Sequence, residues 1–107
     1  MRLPTRTEEL ILWSILQLQD LAYCVPIRDR IAEVTGEKWP LGSIYMPLDR
    51  LVRNGWLTSR FSESTPERGG RRKRIYHLTA EGRRALEQTR KVHHKMWESV
   101  PARLKES

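Results

Sequence analysis

Two β-forming segments that enclose a run of glycines and arginines constrain this chain most. Residues 56–61 and 74–78 are rich in β-branched and aromatic residues, whereas most of the remaining chain shows helical spacing. Between these segments, residues 68–74 place five cations around Gly69 and Gly70, which allow the backbone to turn tightly. The sequence therefore predicts an antiparallel β-hairpin with a basic tip.

Three helices are predicted before this hairpin. The first covers residues 7–18, after a capping box formed by Thr5 and Glu8, and its apolar residues recur every three or four positions. The second begins near Pro26, which the first turn of a helix tolerates, and ends near Gly36.

The third and the last helices carry the remaining helical signals. The third ends at residues 54–55 and contains Pro47, where we expect a kink or a loosened turn. The last helix runs from Thr79, which can cap it, to about Ser99, and Pro101 ends it. The apolar stripe of this last helix consists of Ala85, Leu86, Thr89, Val92, His93 and Met96.

The order of helix, helix, helix, strand, strand and helix predicts a winged helix-turn-helix fold that is mainly α with a two-stranded β-hairpin, plus a long C-terminal dimerisation helix. We expect residues 1–78 to form the DNA-binding domain and residues 79–107 the dimerisation helix. So small a trihelical unit cannot cover the whole last helix. Its stripe is therefore expected to meet the first helix and the same helix of a second subunit, forming a homodimer.

The charge balance favours a polyanionic partner. Lys and Arg number 20 against 13 Asp and Glu, which gives a formal net charge of +7. Nucleic acid and an anionic membrane surface both fit this excess, but cations at a hairpin tip beside a trihelical unit favour double-stranded DNA. The alternative is a solvated loop that only maintains solubility.

Neither secretion nor membrane spanning is expected. The longest apolar stretch, residues 10–18, is interrupted by Ser14 and Gln17. The single cysteine, Cys24, is typical of a reducing compartment, so we expect a cytoplasmic protein.

The third helix is the predicted recognition helix. Ser43 and Tyr45 lie near its N-terminal end, where such helices contact bases and phosphates, and Arg50 can pair with a phosphate oxygen or a guanine edge. Two alternatives stay open. Tyr45 would otherwise fill a gap between helices, and Arg50 would pair with Asp49 or Glu33.

Trp13 and Trp97 lie on the first and last helices, where they would form a flat wall for a planar aromatic effector. Core packing is the alternative interpretation of both tryptophans. Trp39 and Trp56, which flank the third helix, are interpreted as structural. The residues assigned to a ligand site or dimer interface are Trp13, Leu86, Val92, His93, Met96 and Trp97.

No catalytic or metal-binding pattern occurs in the sequence. His93 and His94 are adjacent and so lie on different helix faces, unlike the i, i+4 pair that binds a metal on a helix. There is also no phosphate-binding loop, nucleophile motif or Cys/His cluster. We therefore expect neither an enzyme nor a cofactor.

Several stretches resemble the PadR family of bacterial transcriptional regulators. They are Ala22-Tyr23, residues 42–45, 48–51 and 55–57, and most specifically residues 69–82. The resemblance spans about residues 7–97 and is to the compact subgroup whose dimerisation region is one C-terminal helix. It implies a winged helix-turn-helix dimer that occupies promoter DNA, generally as a repressor.

The resemblance also implies site residues. It places the third helix in the major groove and the wing on the minor groove or the backbone. The residues it assigns to DNA contact are Ser43, Tyr45, Arg50, Gly70, Arg71, Arg72 and Lys73. Some multidrug-sensing relatives bind planar aromatic compounds between tryptophans of the last helix, and Trp97 lies about one helical turn beyond that place.

The sequence thus predicts a sequence-specific transcriptional regulator, acting as a repressor that binds a pseudo-palindromic promoter site as a homodimer. One alternative is a winged-helix protein-interaction module without DNA sequence specificity. A second alternative is a module that binds structured RNA.

Overall fold

The computed structural model describes residues 2–63 and 72–106. Its elements are, in chain order, α1 (Arg6–Leu18), a 3-10 turn (Gln19–Leu21), α2 (Cys24–Thr35), α3 (Gly42–Arg53), β1 (Leu57–Phe61), β2 (Arg74–Leu78), α4 (Ala80–Glu98) and α5 (Ala102–Lys105). This order confirms the predicted fold class, a mainly helical chain with a two-stranded hairpin and a long C-terminal helix. The short α5 was not predicted from the sequence.

The capping box begins α1 as predicted. The hydroxyl oxygen of Thr5 accepts the Glu8 backbone N–H at 3.2 Å, and Oε1 of Glu8 accepts the Thr5 backbone N–H at 2.8 Å. Burial acts to raise the pKa of the Glu8 carboxyl, but hydrogen bonds from Arg2 and Thr5 outweigh it and lower this pKa. An ionised carboxylate is therefore held at the positive end of the helix dipole.

The core lies between the first three helices, the hairpin and the start of α4. Burying each leucine or isoleucine contributes roughly 1.5–3 kcal/mol, so these side chains dominate the stability of the fold. The fully buried large side chains are Ile11, Leu12, Ile15, Ile27, Ile31, Ile44, Leu48, Leu51, Leu57 and Tyr76. Trp56 is also buried and Trp39 packs against the core. Pro47 is buried within α3, and the helix continues through it to Arg53.

The two strands pair antiparallel, with Leu57 opposite Leu78 and Phe61 opposite Arg74. Past the last pair, the backbone N–H of Ser62 donates to the carbonyl of Lys73 at 2.7 Å. At the other edge of β2, the N–H of Tyr76 donates to the Ala22 carbonyl at 2.9 Å. The first bond extends the pairing of the two strands, and the second fixes the hairpin to the segment that precedes α2.

One end of α4 belongs to the core and the other end projects from it. Thr79 caps the helix by accepting the Gly82 N–H at 3.0 Å, as predicted. Leu86 is buried, whereas Met96 and Trp97 are 69% and 56% exposed. The molecule is accordingly elongated, with a longest extent of 58 Å.

Among the described helices, none has the length and apolar character needed to cross a membrane.

At Gly82, α4 approaches the backbone of Trp56, just before β1, very closely. A Cβ atom on this residue would lie 2.2 Å from the carbonyl oxygen of Trp56 and 3.2 Å from its carbonyl carbon. Backbone atoms of a strand entry cannot move aside as a flexible side chain would, so the packing requires glycine here.

We expect Gly82→Ala to lower the free energy of unfolding by about 1–3 kcal/mol, because overpacking outweighs the helix propensity that alanine adds. Gly42→Ala is the matched control, since Gly42 is also helical and a Cβ there meets nothing within 4 Å. This control should be neutral or stabilising by up to about 1 kcal/mol. Urea unfolding measures both, and equal stability of the two variants would contradict the close approach.

Candidate nucleic-acid interface

One face of α3 is open to solvent. The side chains that this helix buries all lie on the opposite face, where they join the core. The exposed residues are Ser43, Tyr45, Met46, Asp49, Arg50 and Arg53. We call this the recognition face. At about 100° per residue, Tyr45 and Asp49 lie along one edge of it and Ser43 and Arg50 along the other.

Asp49 and Arg74 connect the recognition face to the hairpin. Nη1 of Arg74 lies 3.5 Å from Oδ1 of Asp49, and its Nε donates to Oγ of Ser59 at 3.0 Å. The same guanidinium lies 5.6 Å from the centroid of the Tyr76 ring. An exposed ion pair contributes at most about 1 kcal/mol to the stability of the fold, so its main effect is on the charge of this surface. Arg74 balances the one carboxylate on the recognition face.

Lys73 attaches the base of the hairpin to Tyr23, the residue that precedes α2. Its Nζ donates to the hydroxyl of Tyr23 at 3.0 Å and lies 4.2 Å from the centroid of that ring. A lysine ammonium has three N–H donors, so two remain for another acceptor. Next to it, Arg72 is exposed and has no ion pair with any described residue. Both cations therefore remain available to an anion at this end of the hairpin.

A groove of about 350 Å³ separates α3 from the base of the hairpin. Tyr45 and Cys24, the first residue of α2, both line it, and Tyr45 is 51% exposed. The two interpretations of Tyr45 therefore both hold in part. Its side chain lies beside the first turn of α2, and about half of its surface faces solvent.

Cys24 is buried in the first turn of α2. Burial raises the pKa of its thiol, and the hydrogen bond with Tyr45 and the charge of Arg28 offset this effect only partly. The pKa of Tyr45 is raised as well, first by the charge that an ionised Cys24 would carry. Both groups are therefore neutral at physiological pH.

Arg50 has no ion pair with any residue that the structure describes. Asp49 pairs with Arg74, and Glu33 pairs with Arg30 at 3.3 Å. Both acidic partners that the sequence offered for Arg50 are therefore bound elsewhere, and its guanidinium faces outward.

The structure brings together most of the residues that were assigned to DNA contact. Gly70 and Arg71 lie outside the described residues. The others lie on the recognition face or at the adjoining hairpin base: Ser43, Tyr45, Arg50, Arg72 and Lys73. The contacts made by Tyr23 and Asp49 were missed, because no local pattern pairs either residue with a hairpin cation far along the chain.

The residues assigned to a ligand site or dimer interface follow one line from α1 along α4. Trp13 and Leu86 line a surface pocket of about 320 Å³ between the two helices, and Trp97 does not line it. The indole N–H of Trp13 donates to Glu9 at 3.2 Å, and the other oxygen of Glu9 lies 3.2 Å from Nε2 of His93. Val92 is partly buried, whereas His93, Met96 and Trp97 are exposed.

Within the described ranges no three His, Cys, Asp or Glu residues cluster in a way that would hold a metal ion.

Comparisons with known proteins give one family and one fold. The model of the transcriptional regulator PadR-like family matches residues 12–88. The chain is similar to a PadR family transcription regulator from hypervirulent Clostridium difficile, with a TM-score of 0.71, 21% identity, and coverage of 88% of this chain and 93% of that one. It is also similar to a transcriptional regulator from Clostridium thermocellum, with a TM-score of 0.70, 22% identity, and coverage of 88% and 85%. No curated protein sequence matches significantly.

We expect Cys24 to react with a thiol reagent far more slowly in the folded protein than in guanidinium, because each unit of raised pKa lowers the thiolate fraction about tenfold. The folded state holds the thiol proton more tightly than the unfolded state. The free energy of unfolding should therefore fall as the pH rises from the pKa of the unfolded thiol to the higher pKa of the folded one. Cys24→Ala is the control without a thiol, and its free energy of unfolding should fall less at alkaline pH. Equal reaction rates in the two states would show that the thiol is not protected.

Proposed function

Because this chain belongs to the PadR-like family of transcriptional regulators, we propose that it binds a pseudo-palindromic promoter site as a homodimer and represses transcription there. The observation that carries this proposal is the exposed recognition face of α3 beside the cationic base of the hairpin. A winged-helix module that binds only proteins would not need both features together.

The recognition face suits the major groove. A helix with its side chains is about 10–12 Å across and the major groove is about 12 Å wide, so α3, which has 12 residues and is about 18 Å long, can lie in it. Ser43 and Tyr45 are proposed to contact bases and phosphates near the N-terminal end. Arg50 is proposed to contact a guanine edge or a phosphate, since its guanidinium has no ion pair with a described residue.

The hairpin supplies the second proposed contact. Arg72 is exposed and Lys73 keeps two free N–H donors. Together with Gly70 and Arg71, they are proposed to follow the phosphate backbone or enter an adjacent minor groove. The bond between Lys73 and Tyr23 would hold this wing beside α3.

The projecting half of α4 is the proposed dimerisation surface. Within the proposed division into a DNA-binding domain over residues 1–78 and a dimerisation helix over residues 79–107, the first turns of α4 already pack in the core. Val92, His93, Met96 and Trp97 continue the same stripe beyond them. A planar aromatic effector, if the protein binds one, would enter at this interface, where Trp13 lines the pocket between α1 and α4.

We expect Arg71→Ala combined with Arg72→Ala to weaken binding to every duplex sequence and to lower the slope of log K against log salt by about 0.9 for each lost phosphate contact. Lys91→Ala combined with Lys95→Ala removes the same charge from the exposed side of α4 and should leave the slope nearly unchanged. Fluorescence anisotropy across a salt series measures both. A slope equal to that of the unaltered protein would remove the hairpin from the DNA-binding surface.

We expect Met96→Glu combined with Trp97→Glu to give monomers with much weaker binding to a two-fold site. Both side chains are exposed in one chain, so the fold should survive, as helical circular dichroism would report. Lys91→Glu combined with Lys95→Glu places two glutamates on the opposite side of α4 and should stay dimeric. A Met96 and Trp97 variant that still sediments as a dimer would refute the proposed interface.

A further inference from the structure

We infer that Arg2, Arg50 and Arg53 form a second phosphate-binding site, which we call the arginine rim. It lies at the C-terminal end of α3, where Arg50 is on the edge of the recognition face opposite the hairpin and Arg53 is nearer the middle of that face. The inference rests on the proposed DNA-binding function and adds a contact to it. Neither Arg2 nor Arg53 belongs to the residues that the resemblance assigns to DNA.

A surface pocket of about 330 Å³ defines the rim. It is lined by Arg2, Glu8, Arg50, Arg53 and Asn54. Three guanidinium groups and one carboxylate leave an excess of two positive charges around the same space. Two arginines three positions apart on α3 lie on the same side of the helix, and neither has an ion pair with any described residue. The pocket therefore has the charge and the donors that a phosphate needs.

Arg2 is held in place beside this pocket. Its guanidinium lies 2.8 Å and 3.3 Å from the two carboxylate oxygens of Glu8, and 4.7 Å from the ring centroid of Trp56. A further N–H approaches the carbonyl of Leu3 at 3.4 Å. A guanidinium has five N–H donors, so two remain for another acceptor. Since Glu8 and Trp56 are both buried, the position of Arg2 is set by the core.

The backbone carbonyls at the C-terminal end of α3 do not need the arginines as hydrogen-bond donors. Exposed carbonyls at a helix C-terminus attract cations and repel anions. Here the backbone N–H groups of residues 54–56 donate to carbonyls of the last turn, at distances of 2.9–3.2 Å. The guanidinium groups of Arg50 and Arg53 are therefore not needed to cap the helix and can bind an anion outside it.

The position of the rim favours a DNA phosphate over a free anion. A helix in the major groove has one sugar-phosphate strand on each side. The hairpin base lies along the Asp49 edge of the recognition face, whereas Arg50 lies along the opposite edge and Arg53 between the two edges. The two cationic sites would thus contact the two strands that border the groove.

Arg53→Gln is the clean test, because it removes a charge without breaking an ion pair of the described structure. In the full chain, it should weaken binding to duplexes of unrelated sequence alike and lower the salt slope by about 0.9. Lys91→Gln removes one charge from α4 and should leave the slope unchanged. Thermal unfolding checks that both variants fold as stably as the unaltered chain.

Arg2 requires a pair of variants, because it also neutralises the buried Glu8. Arg2→Lys should keep most of the salt slope, whereas Arg2→Gln should lower it by about 0.9. A purely structural Arg2 would change the thermal midpoint in Arg2→Gln but leave the slope as it was. That result would exclude Arg2 from the rim and overturn the three-residue site.

The outcomes separate this inference from the proposed function. A chain that binds no duplex DNA would overturn both. If the chain binds DNA and the Arg71 and Arg72 variant lowers the salt slope while Arg53→Gln does not, the rim is refuted and the proposed function stands. If inorganic phosphate shifts the NMR signals of Arg50 and Arg53 but Arg53→Gln leaves the DNA slope intact, the pocket binds a free anion and the inference fails.

Discussion

The junction between the end of α3 and the start of α4 sets the geometry of the whole molecule. The hydroxyl of Thr79 donates to the Gly55 carbonyl at 2.6 Å, and the Thr79 N–H donates to the Trp56 carbonyl at 3.1 Å. Gly82 packs against that same Trp56 carbonyl with no room for a Cβ. Because these three contacts join the end of the recognition helix, both strands and the last helix, none of these elements can shift without the others.

This rigidity gives the surface charges a fixed arrangement. An overall charge of +7 would attract any polyanion, but it would not by itself select a groove. Selection requires cations at known positions around an exposed helix. The bonds from Lys73 to Tyr23 and from Arg2 to Glu8 hold cations on either side of α3, and both partners lie on elements of the core. The electrostatics of the interface thus depend on the packing beneath it.

The sequence predicted what is encoded locally. The capping box at Thr5, the cap at Thr79 and the change of hydrophobic period at the hairpin are signals within a few residues, and the structure confirms each of them. The pairing of residues 23 and 73 and the stacking of Arg2 on Trp56 join segments about 50 residues apart, so no spacing rule reveals them. The stripe on α4 was visible as well, but the point at which burial gives way to exposure depends on where α1 begins, since His93 lies beside Glu9 in the first turn of α1.

The two halves of α4 explain how a dimer interface could control DNA spacing in the proposed dimer. Ala85 and Leu86 fix the first turns in the core, and α4 continues from them without a break to Glu98. The exposed half therefore cannot swing freely about a hinge. Any pairing through Met96 and Trp97 would then orient both recognition helices at once, so the separation of half-sites follows from the direction of one continuous helix.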